Sequence, residues 1–259
     1  MLFFLVIFVC MKNPVLSFFW FVYLVVIYLP FGVSATILCA IVTGLGCSIG
    51  DHRKWGYYPG MIWSRFMMAL ALCPFEVEGA EKLDPTQSYV FASNHTSMYD
   101  VFAIYGWIGR PFKWILKEEL RKLPFVGKAC ELAGFIYIKR GGGKKMLESV
   151  KRAEAILQEG VSVVIFPEGS RTCDGETGAF KRGGFEIARE MHLPIVPISL
   201  SGGYFVCPKN RYYPVPHRMK MVIGDPVAFE PADVADEKQL IGQIRQTVIA
   251  GIDPQINRP

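Results

Sequence analysis

The chain has 259 residues, a length that suits one large domain or one domain with an appendage. Hydrophobic residues make up 51% of it, which is high for a soluble protein, and the net charge is +5. A basic excess of this size suits anionic lipid head groups as well as nucleic acid, and the apolar N-terminus favours the membrane. The seven cysteines are scattered without a C-x-x-C pair, which argues against a disulfide framework.

The first 50 residues are almost entirely apolar. No charged side chain occurs between residues 14 and 50, and only Lys12 precedes them. A bilayer core of about 30 Å takes about 20 residues of helix, so this run is too long for one upright span. The sequence YLPFG (28–32) predicts a break, because proline and glycine together interrupt a helix. We therefore predict that residues 1–50 form two membrane-anchoring helices, at about 2–28 and 33–48.

A secretory signal peptide is the competing interpretation of this region. It fits poorly, because no basic residues precede the first apolar run and that run is too long. Basic side chains follow the region directly, and positive residues favour the cytoplasmic side of a membrane. We therefore expect a membrane protein whose remainder lies on the cytoplasmic face. Residues 51–74 are predicted to form a linker with a helix at 61–72, either in the bilayer interface or in the core of the domain.

From residue 75 to residue 259, short apolar runs alternate with segments of helical periodicity. This alternation predicts an α/β domain with a mostly parallel sheet flanked by helices. The predicted strands are 75–78, 89–92, 112–116, 135–138, 162–166, 195–200 and 219–223, and the predicted helices are 100–107, 144–158, 183–191 and 237–250. Ligands of such sheets bind beyond the carboxyl ends of the strands. Four polar clusters lie there: SNHTSMYD, KRGGGKK, PEGSRT and SLSGG.

The first cluster places His95 five residues before Asp100. Five residues along a helix turn by about 500°, so the two side chains cannot share one helical face. We expect His95 in the loop after the strand, with Thr96 or Ser97 capping the helix that contains Asp100. A carboxylate that reaches back to the imidazole fixes its tautomer and leaves the other nitrogen free to take a proton. A histidine that is incidental to a polar loop is the alternative.

No protein nucleophile is evident beside this pair. The G-x-S-x-G match GCSIG (46–50) ends an apolar run and not a strand of a packed sheet, and PEGSR lacks the second glycine of such a motif. The expected acceptor of a transferred group is therefore a substrate hydroxyl that the histidine activates directly. Metal binding has little support, because His52, His192 and His217 are isolated.

Two further clusters are suited to anion binding. In VVIFPEGSRT (163–172) the arginine fork matches a phosphate or carboxylate, and Gly169 permits a tight turn whose N–H groups face an anion. IKRGGGKK (138–145) has neither P-loop nor dinucleotide-binding spacing. Its basic residues are Lys139, Arg140, Lys144 and Lys145. The alternatives are a strand-end turn with a surface ion pair for the first cluster and a solvated basic turn for the second.

These motifs resemble those of the 1-acyl-glycerol-3-phosphate acyltransferase family, the lysophosphatidate acyltransferases. NHTSMYD is similar to the family's N-H-x-x-x-x-D motif, GFIYIKRG to its second motif, FPEGSRT to its third and IVPISL to its fourth, in the same order and spacing. The resemblance covers residues 75–200. Ser170 stands where many members have threonine, and the apolar N-terminus is longer than that of short bacterial members.

The resemblance implies a membrane-bound enzyme that moves a fatty acyl group from a thioester donor to the free hydroxyl of 1-acyl-glycerol 3-phosphate, giving phosphatidic acid. It implies that His95 is the general base and Asp100 its partner. The acceptor-phosphate region that it implies comprises Arg140, Glu168, Gly169, Ser170 and Arg171, with Lys117 and Lys181 as lesser candidates. We expect backbone N–H groups near Thr96 to Met98 to stabilise the oxyanion.

The expected partners are lysophosphatidic acid, an acyl donor that is either acyl-CoA or acyl carrier protein, and membrane lipids. We expect no cofactor, no metal and no nucleic acid. The alternatives are acylation of another lysolipid or of glycerol 3-phosphate, hydrolysis with water as acceptor, and a noncatalytic lipid-binding membrane protein.

Overall fold

The computed structural model of the chain describes residues 13–138 and 161–258. Its strands are β1 (Phe75–Glu78), β2 (Val90–Ser93), β3 (Phe112–Lys117), β4 (Ile136–Ile138), β5 (Ser162–Ile165), β6 (Ile195–Ser201) and β7 (Met219–Ile223). They form one sheet in the order β1-β7-β6-β2-β5-β3-β4. β6 and β7 pair antiparallel, and the other neighbours pair parallel. The carboxyl ends of β2, β3, β4, β5 and β6 therefore meet at one edge.

The helices flank this sheet and precede it. They are α1 (Pro14–Ile49), α2 (His52–Trp55), α3 (Tyr58–Leu70), α4 (Tyr99–Trp107), α5 (Val126–Leu132), α6 (Glu186–Glu190), α7 (Gly203–Val206) and α8 (Val234–Ala250). Short 3-10 turns occupy Ala80–Lys82, Glu118–Lys122 and Arg182–Gly184. The predicted α/β fold with a mostly parallel sheet is confirmed, and each predicted strand is within one residue of its observed bounds. The predicted helix 144–158 lies outside the described residues.

The sheet separates two hydrophobic layers, and successive residues of β2 face them alternately. Phe91 packs with α3 and α4, whereas Val90 and Ala92 pack with α6 and α8. This alternation is the two-residue period of a strand. All three side chains are fully buried. Replacing a buried phenylalanine by alanine costs about 3–5 kcal/mol, so residues of this kind hold the sheet in place beneath the loops at its edge.

The predicted break at YLPFG is wrong, because α1 continues through Pro30. Residues Leu24–Tyr28 form a π-helical turn in which the Leu29 N–H donates to the Leu24 carbonyl. A proline ring within an α-helix clashes with the carbonyl four residues earlier, and the extra residue of a π turn displaces that carbonyl. Gly32 is buried, and a Cβ there would lie 3.3 Å from Cε of Met67, so this glycine provides close packing and not a helix end.

One face of α1 is docked on the α/β domain. The Trp20 indole N–H donates to the Pro214 carbonyl at 3.0 Å, and the Trp63 indole N–H donates to the Thr36 hydroxyl at 3.0 Å. Large apolar side chains on the opposite face are exposed, with Phe19 65% exposed and Leu38 62% exposed. With 36 residues and this composition, α1 is long and apolar enough to cross a membrane. An apolar outer face of this extent indicates membrane association.

The predicted helix at 61–72 is present as α3. Its Met67 and Met68 are buried against the domain, while Ile62 and Phe66 are 64% and 39% exposed. α3 thus combines a core face with an apolar outer face, and its predicted place in the bilayer interface stays a prediction.

Candidate active site

His95 and Asp100 are in contact at the carboxyl edge of the sheet. His95 lies in the loop after β2, and Asp100 lies in the first turn of α4. The distance from Nδ1 of His95 to Oδ2 of Asp100 is 3.0 Å. The His95 side chain is 15% exposed, whereas that of Asp100 is fully buried. The loop after the strand thus brings together two side chains that no single helical face would hold.

The Asp100 carboxylate organises the loop as well as the imidazole. Its Oδ2 also accepts hydrogen bonds from the backbone N–H groups of Thr96 and Ser97, each at 2.7 Å. These two N–H groups are therefore occupied, and the expectation that they stabilise an oxyanion is wrong for both. The Ser97 hydroxyl accepts from the Tyr99 N–H at 3.1 Å, at the start of α4.

The outer nitrogen of His95 is available for proton transfer. Nδ1 faces the carboxylate, which favours the tautomer with its proton on Nδ1 and the lone pair on Nε2. Among the described residues, the ring hydrogen bond of His95 is made by Nδ1 and none is made by Nε2. The imidazole stacks on Phe166, with ring centroids 3.9 Å apart and an interplanar angle of 14°, and Trp114 stacks behind Phe166 at 5.7 Å. Two contacts therefore fix the ring: the carboxylate at one edge and an aromatic face.

Two side chains tie this loop to distant parts of the chain. The Asn94 side chain donates to the Leu200 carbonyl at 2.9 Å and accepts from the Leu200 N–H at 2.8 Å, which joins the end of β2 to β6. The Ser97 hydroxyl donates to the Cys207 carbonyl at 2.9 Å, just after α7. Asn94 and Ser97 are both buried, so their hydrogen bonds resist exchange with water.

Glu168 connects the His95 loop with the loop after β5. Its Oε1 accepts from the His95 backbone N–H at 2.8 Å, and its Oε2 accepts from the Gly178 N–H at 3.1 Å. Burial raises the pKa of the Glu168 carboxyl above its ordinary value, and the two N–H donors partly offset that effect. These contacts make Glu168 a residue that positions the histidine loop. Its predicted place in the acceptor-phosphate region stays a prediction.

The loop after β5 gathers cationic groups near the pair. Gly169 has a φ of +75°, and a Cβ on it would lie 3.1 Å from Nζ of Lys181, so the lysine amine lies over this turn. Arg171 carries a buried Nη1 that has no hydrogen-bond partner among the described residues. The Thr172 N–H donates to the His95 carbonyl at 3.0 Å. Arg171 therefore lies in a segment that is bonded to the His95 loop.

The remaining predicted residues are placed as follows. Ser170 is exposed on the loop after β5, and Lys117 is exposed at the end of β3. Arg140, with the rest of KRGGGKK, lies outside the described residues. Within the described ranges, no group of three or more His, Cys, Asp or Glu side chains is arranged to hold a metal ion.

Sequence reasoning missed three residues that shape the site. Phe166 stacks on the imidazole, and Asn94 holds the loop to β6. Gly203 lies against the pair, because a Cβ there would collide with Oδ1 of Asp100. All three residues belong to motifs or polar clusters that are visible in the sequence, NHTSMYD, FPEGSRT and SLSGG, and this was the signal available for them.

Comparison with known proteins identifies the family. Residues 74–201 match the family model described as Acyltransferase. The chain is 33% identical to the 1-acyl-sn-glycerol-3-phosphate acyltransferase of Pseudomonas aeruginosa over 200 residues, which cover 74% of this chain and 77% of that protein. The chain belongs to the 1-acyl-sn-glycerol-3-phosphate acyltransferase family.

Relatives from animals and plants extend this similarity. Identity to the alpha form of the mouse enzyme is 34%, over 67% of this chain and 62% of that protein. Identity to a chloroplastic 1-acyl-sn-glycerol-3-phosphate acyltransferase of Arabidopsis thaliana is 30%, over 78% of this chain and 58% of that protein. The chain thus spans about three-fifths of the length of these two relatives.

A solved structure supports the fold. The crystal structure of the 1-acyl-sn-glycerophosphate acyltransferase from Thermotoga maritima has a TM-score of 0.72 and covers 86% of this chain and 92% of that one. At 23% sequence identity this likeness concerns the fold alone.

Proposed function

We propose that the protein transfers a fatty acyl group from a thioester donor to the free hydroxyl of 1-acyl-glycerol 3-phosphate, giving phosphatidic acid for phospholipid biosynthesis. The observation that carries the proposal is the contact between His95 and Asp100, with Nε2 of His95 available and the buried Nη1 of Arg171, which has no partner among the described residues, in the segment bonded to the His95 loop. Family membership supports it. The reaction joins an acceptor hydroxyl to an acyl carbon, and a base is the group that such a step needs.

His95 acts as the general base. Its Nε2 takes the proton of the acceptor hydroxyl as that oxygen attacks the thioester carbonyl. The C–O bond forms, the C–S bond then breaks, and the imidazolium returns the proton to the departing thiolate. Asp100 holds the ring in the tautomer that leaves Nε2 unprotonated and stabilises the imidazolium. No covalent acyl-enzyme is formed.

Arg171 and Lys181 bind the phosphate of the acceptor. Arg171 presents a planar fork of donors, and a dianionic phosphate satisfies its buried Nη1. Lys181 adds a point charge above the Gly169 turn. Ser170 offers its hydroxyl at the same loop, and Arg140 and Lys117 are the further candidates on neighbouring strand ends. Glu168 contributes by holding the His95 loop, because its two oxygens already accept backbone N–H groups.

The protein works at a membrane surface. Because α1 is docked on the domain at both Trp20 and Thr36, its outer apolar face and the domain lie side by side, which suits a helix lying along the bilayer interface. Residues 1–50 are then the anchor, 51–74 the interfacial linker and 75–259 the acyltransferase domain. The basic residues that follow α1, His52, Arg53 and Lys54, support a cytoplasmic location of the domain.

The donor is a thioester, either acyl-CoA or acyl carrier protein, and the reaction is proposed to proceed without a cofactor. The acceptor is lysophosphatidic acid that lies among the membrane lipids. Acyl transfer to a different lysolipid or to glycerol 3-phosphate would use the same chemistry at His95. The identity of the acceptor therefore has to be measured separately.

Product analysis tests the proposal. Purified full-length protein is incubated with labelled lysophosphatidic acid and each donor in turn, and the products are identified by mass spectrometry. We expect labelled phosphatidic acid from the wild type and very little from His95→Ala. Release of free fatty acid with no acylated lipid would identify a hydrolase, and acylation of another lysolipid alone would replace the proposed acceptor.

A further inference from the structure

The loop between β3 and α5 exposes large apolar side chains that the proposed chemistry does not use. Leu120, Leu123 and Phe125 are 40%, 47% and 61% exposed. We call residues 120–125 the apolar tip. Single exposed apolar side chains need no explanation, but a contiguous group marks a surface that contacts something other than water.

Phe125 is also held in a backbone conformation that side chains rarely adopt. Its φ is +61° and its ψ is −51°. The Val126 N–H donates to the Pro124 carbonyl at 2.6 Å, which makes the rarer, positive-φ form of a γ-turn. Glycine takes such a conformation easily, and phenylalanine does not. Because the side chain is 61% exposed, internal packing does not account for an aromatic residue in this conformation.

Surrounding contacts hold the tip in one shape. The Gly127 N–H donates to the Leu123 carbonyl at 2.9 Å, and the Tyr137 hydroxyl donates to the Gly127 carbonyl at 3.0 Å. A Cβ on Gly127 would collide with the carbonyl of Arg121, so the two sides of the loop meet closely. The Arg121 guanidinium lies 4.6 Å from the centroid of the Tyr137 ring. The apolar side chains therefore project from a fixed support.

The tip lies beside α1. Val126, the residue after Phe125, lines a cavity of about 70 Å³ together with Thr36 and Cys39 of α1. α5, which begins at Val126, also reaches α1 at its other end, because a Cβ on Gly44 would lie 3.8 Å from Cδ1 of Leu132. The tip therefore lies next to α1, whose other face is exposed and apolar.

We propose that the apolar tip inserts into the interfacial region of a phospholipid bilayer and gives the protein a second membrane contact beside α1. The inference rests on the membrane placement proposed above and adds a specific lipid-contacting loop to it. Residues 117–128 carry four basic and two acidic side chains. The resulting net positive charge is compatible with anionic head groups. The tip follows the carboxyl end of β3, so its insertion brings the edge of the sheet that carries His95 to the lipid surface.

Lipid photocrosslinking of the full chain tests this contact directly. p-Benzoyl-phenylalanine replaces Phe125, Leu38 of α1 or Val234 in separate variants, with vesicles of phosphatidylcholine and a minor fraction of phosphatidylglycerol that contain a labelled lipid. Val234 is the matched control, because it is 63% exposed and begins α8, which packs on the opposite face of the sheet. We expect lipid adducts at positions 125 and 38 and none at 234.

The other outcomes separate the tip from the membrane placement. An adduct at position 38 without one at 125 would overturn the tip contact and leave the placement of α1 intact. Absence of adducts at both positions would overturn both. A protein adduct of doubled mass at position 125 would show that a second copy of the chain covers the tip, which also overturns the proposal.

A pair of glycine variants gives a second, independent readout. Phe125→Gly removes the aromatic side chain and relieves the strained turn, so its Tm should equal or exceed that of the wild type while its binding to the vesicles weakens several-fold. His192→Gly is the control, since His192 is exposed, has a φ of +50° and follows α6 on the opposite face of the sheet. It should leave vesicle binding unchanged. Unaltered vesicle binding by a folded Phe125→Gly protein would contradict the proposal.

Discussion

Gly203→Ala is expected to disable the His95–Asp100 pair without replacing either member. The φ of Gly203 lies outside the left-handed region, so alanine fits its backbone. A Cβ there would, however, lie closer than 3.0 Å to Oδ1 of Asp100 and 3.1 Å from Cβ of Ser97. The carboxylate is fully buried, and its other oxygen accepts from three donors. It cannot move away from the new methyl group without stretching those bonds.

The expected loss follows from this geometry. A displacement on the order of 1 Å at a catalytic group costs roughly 10²-fold in rate. The loss of one charge-assisted hydrogen bond costs about 1.5–3 kcal/mol, which corresponds to roughly 10- to 150-fold. We therefore expect kcat for phosphatidic acid formation to fall by about 10²-fold. KM for both substrates should change little, because Gly203 does not belong to the proposed phosphate region.

Initial rates measured by mass spectrometry, together with thermal unfolding in detergent, provide the assay. Gly242→Ala is the matched control, because Gly242 lies within α8 and a Cβ there would meet none of the described atoms within 4 Å. It should keep wild-type activity and gain about 0.5–1 kcal/mol of stability. A folded Gly203→Ala protein with wild-type kcat would refute the argument that the position of the Asp100 carboxylate sets the rate.

Four further outcomes are expected. His95→Ala and Asp100→Asn should each lower turnover by roughly 10²–10⁴-fold with little change in Tm, and near-normal turnover in a folded His95→Ala protein would contradict the mechanism. Arg171→Ala should weaken use of lysophosphatidic acid by about 1.5–3 kcal/mol while the donor KM stays constant; equal losses with a phosphate-free acceptor would assign the arginine a structural role. Because burial raises the folded-state pKa of Glu168, the folded protein binds that proton more tightly than the unfolded chain. The stability of the wild type relative to Glu168→Gln should therefore increase as the pH falls through the raised pKa and level off below the ordinary value of 4.5; a pH-independent difference in urea unfolding would argue against it. Deletion of residues 1–50 should release protein from the membrane fraction and slow acylation of bilayer-embedded acceptor more than that of dispersed acceptor; full retention of both would show that these residues are not the anchor.

Local sequence patterns predicted the sheet well, because its central strands are buried on both faces. β2 and β5 are buried at every position, and such strands are recognisable as short continuous apolar runs bounded by polar turns. The position of His95 was predictable for the same reason. A strand that ends at Ser93 and a helix that contains Asp100 leave few residues between them, so the two side chains are close enough to meet in that loop.

Features that depend on distant residues were not predictable from local patterns. The Asn94 side chain forms hydrogen bonds with Leu200, 106 residues away in the chain. No residue near Asn94 in the sequence indicates that partner. The donors of Thr96 and Ser97 look free in the sequence, yet Asp100 occupies both. The YLPFG prediction failed because one π-helical turn absorbs the proline, a backbone adjustment that side-chain types do not specify.

The docking of α1 connects the apolar surface of the protein with the proton-transfer pair. The Tyr28 hydroxyl of α1 lies 2.7 Å from that of Tyr99, which directly precedes Asp100 and is buried in the same core as Phe102. Interiors of this kind are close-packed and transmit displacement instead of absorbing it. α1, with its apolar outer face, and α4, which carries the Asp100 carboxylate, are therefore parts of one rigid layer. Under the proposed mechanism, this shared layer makes the orientation of α1 on a bilayer set the height and direction from which the acceptor hydroxyl reaches Nε2 of His95.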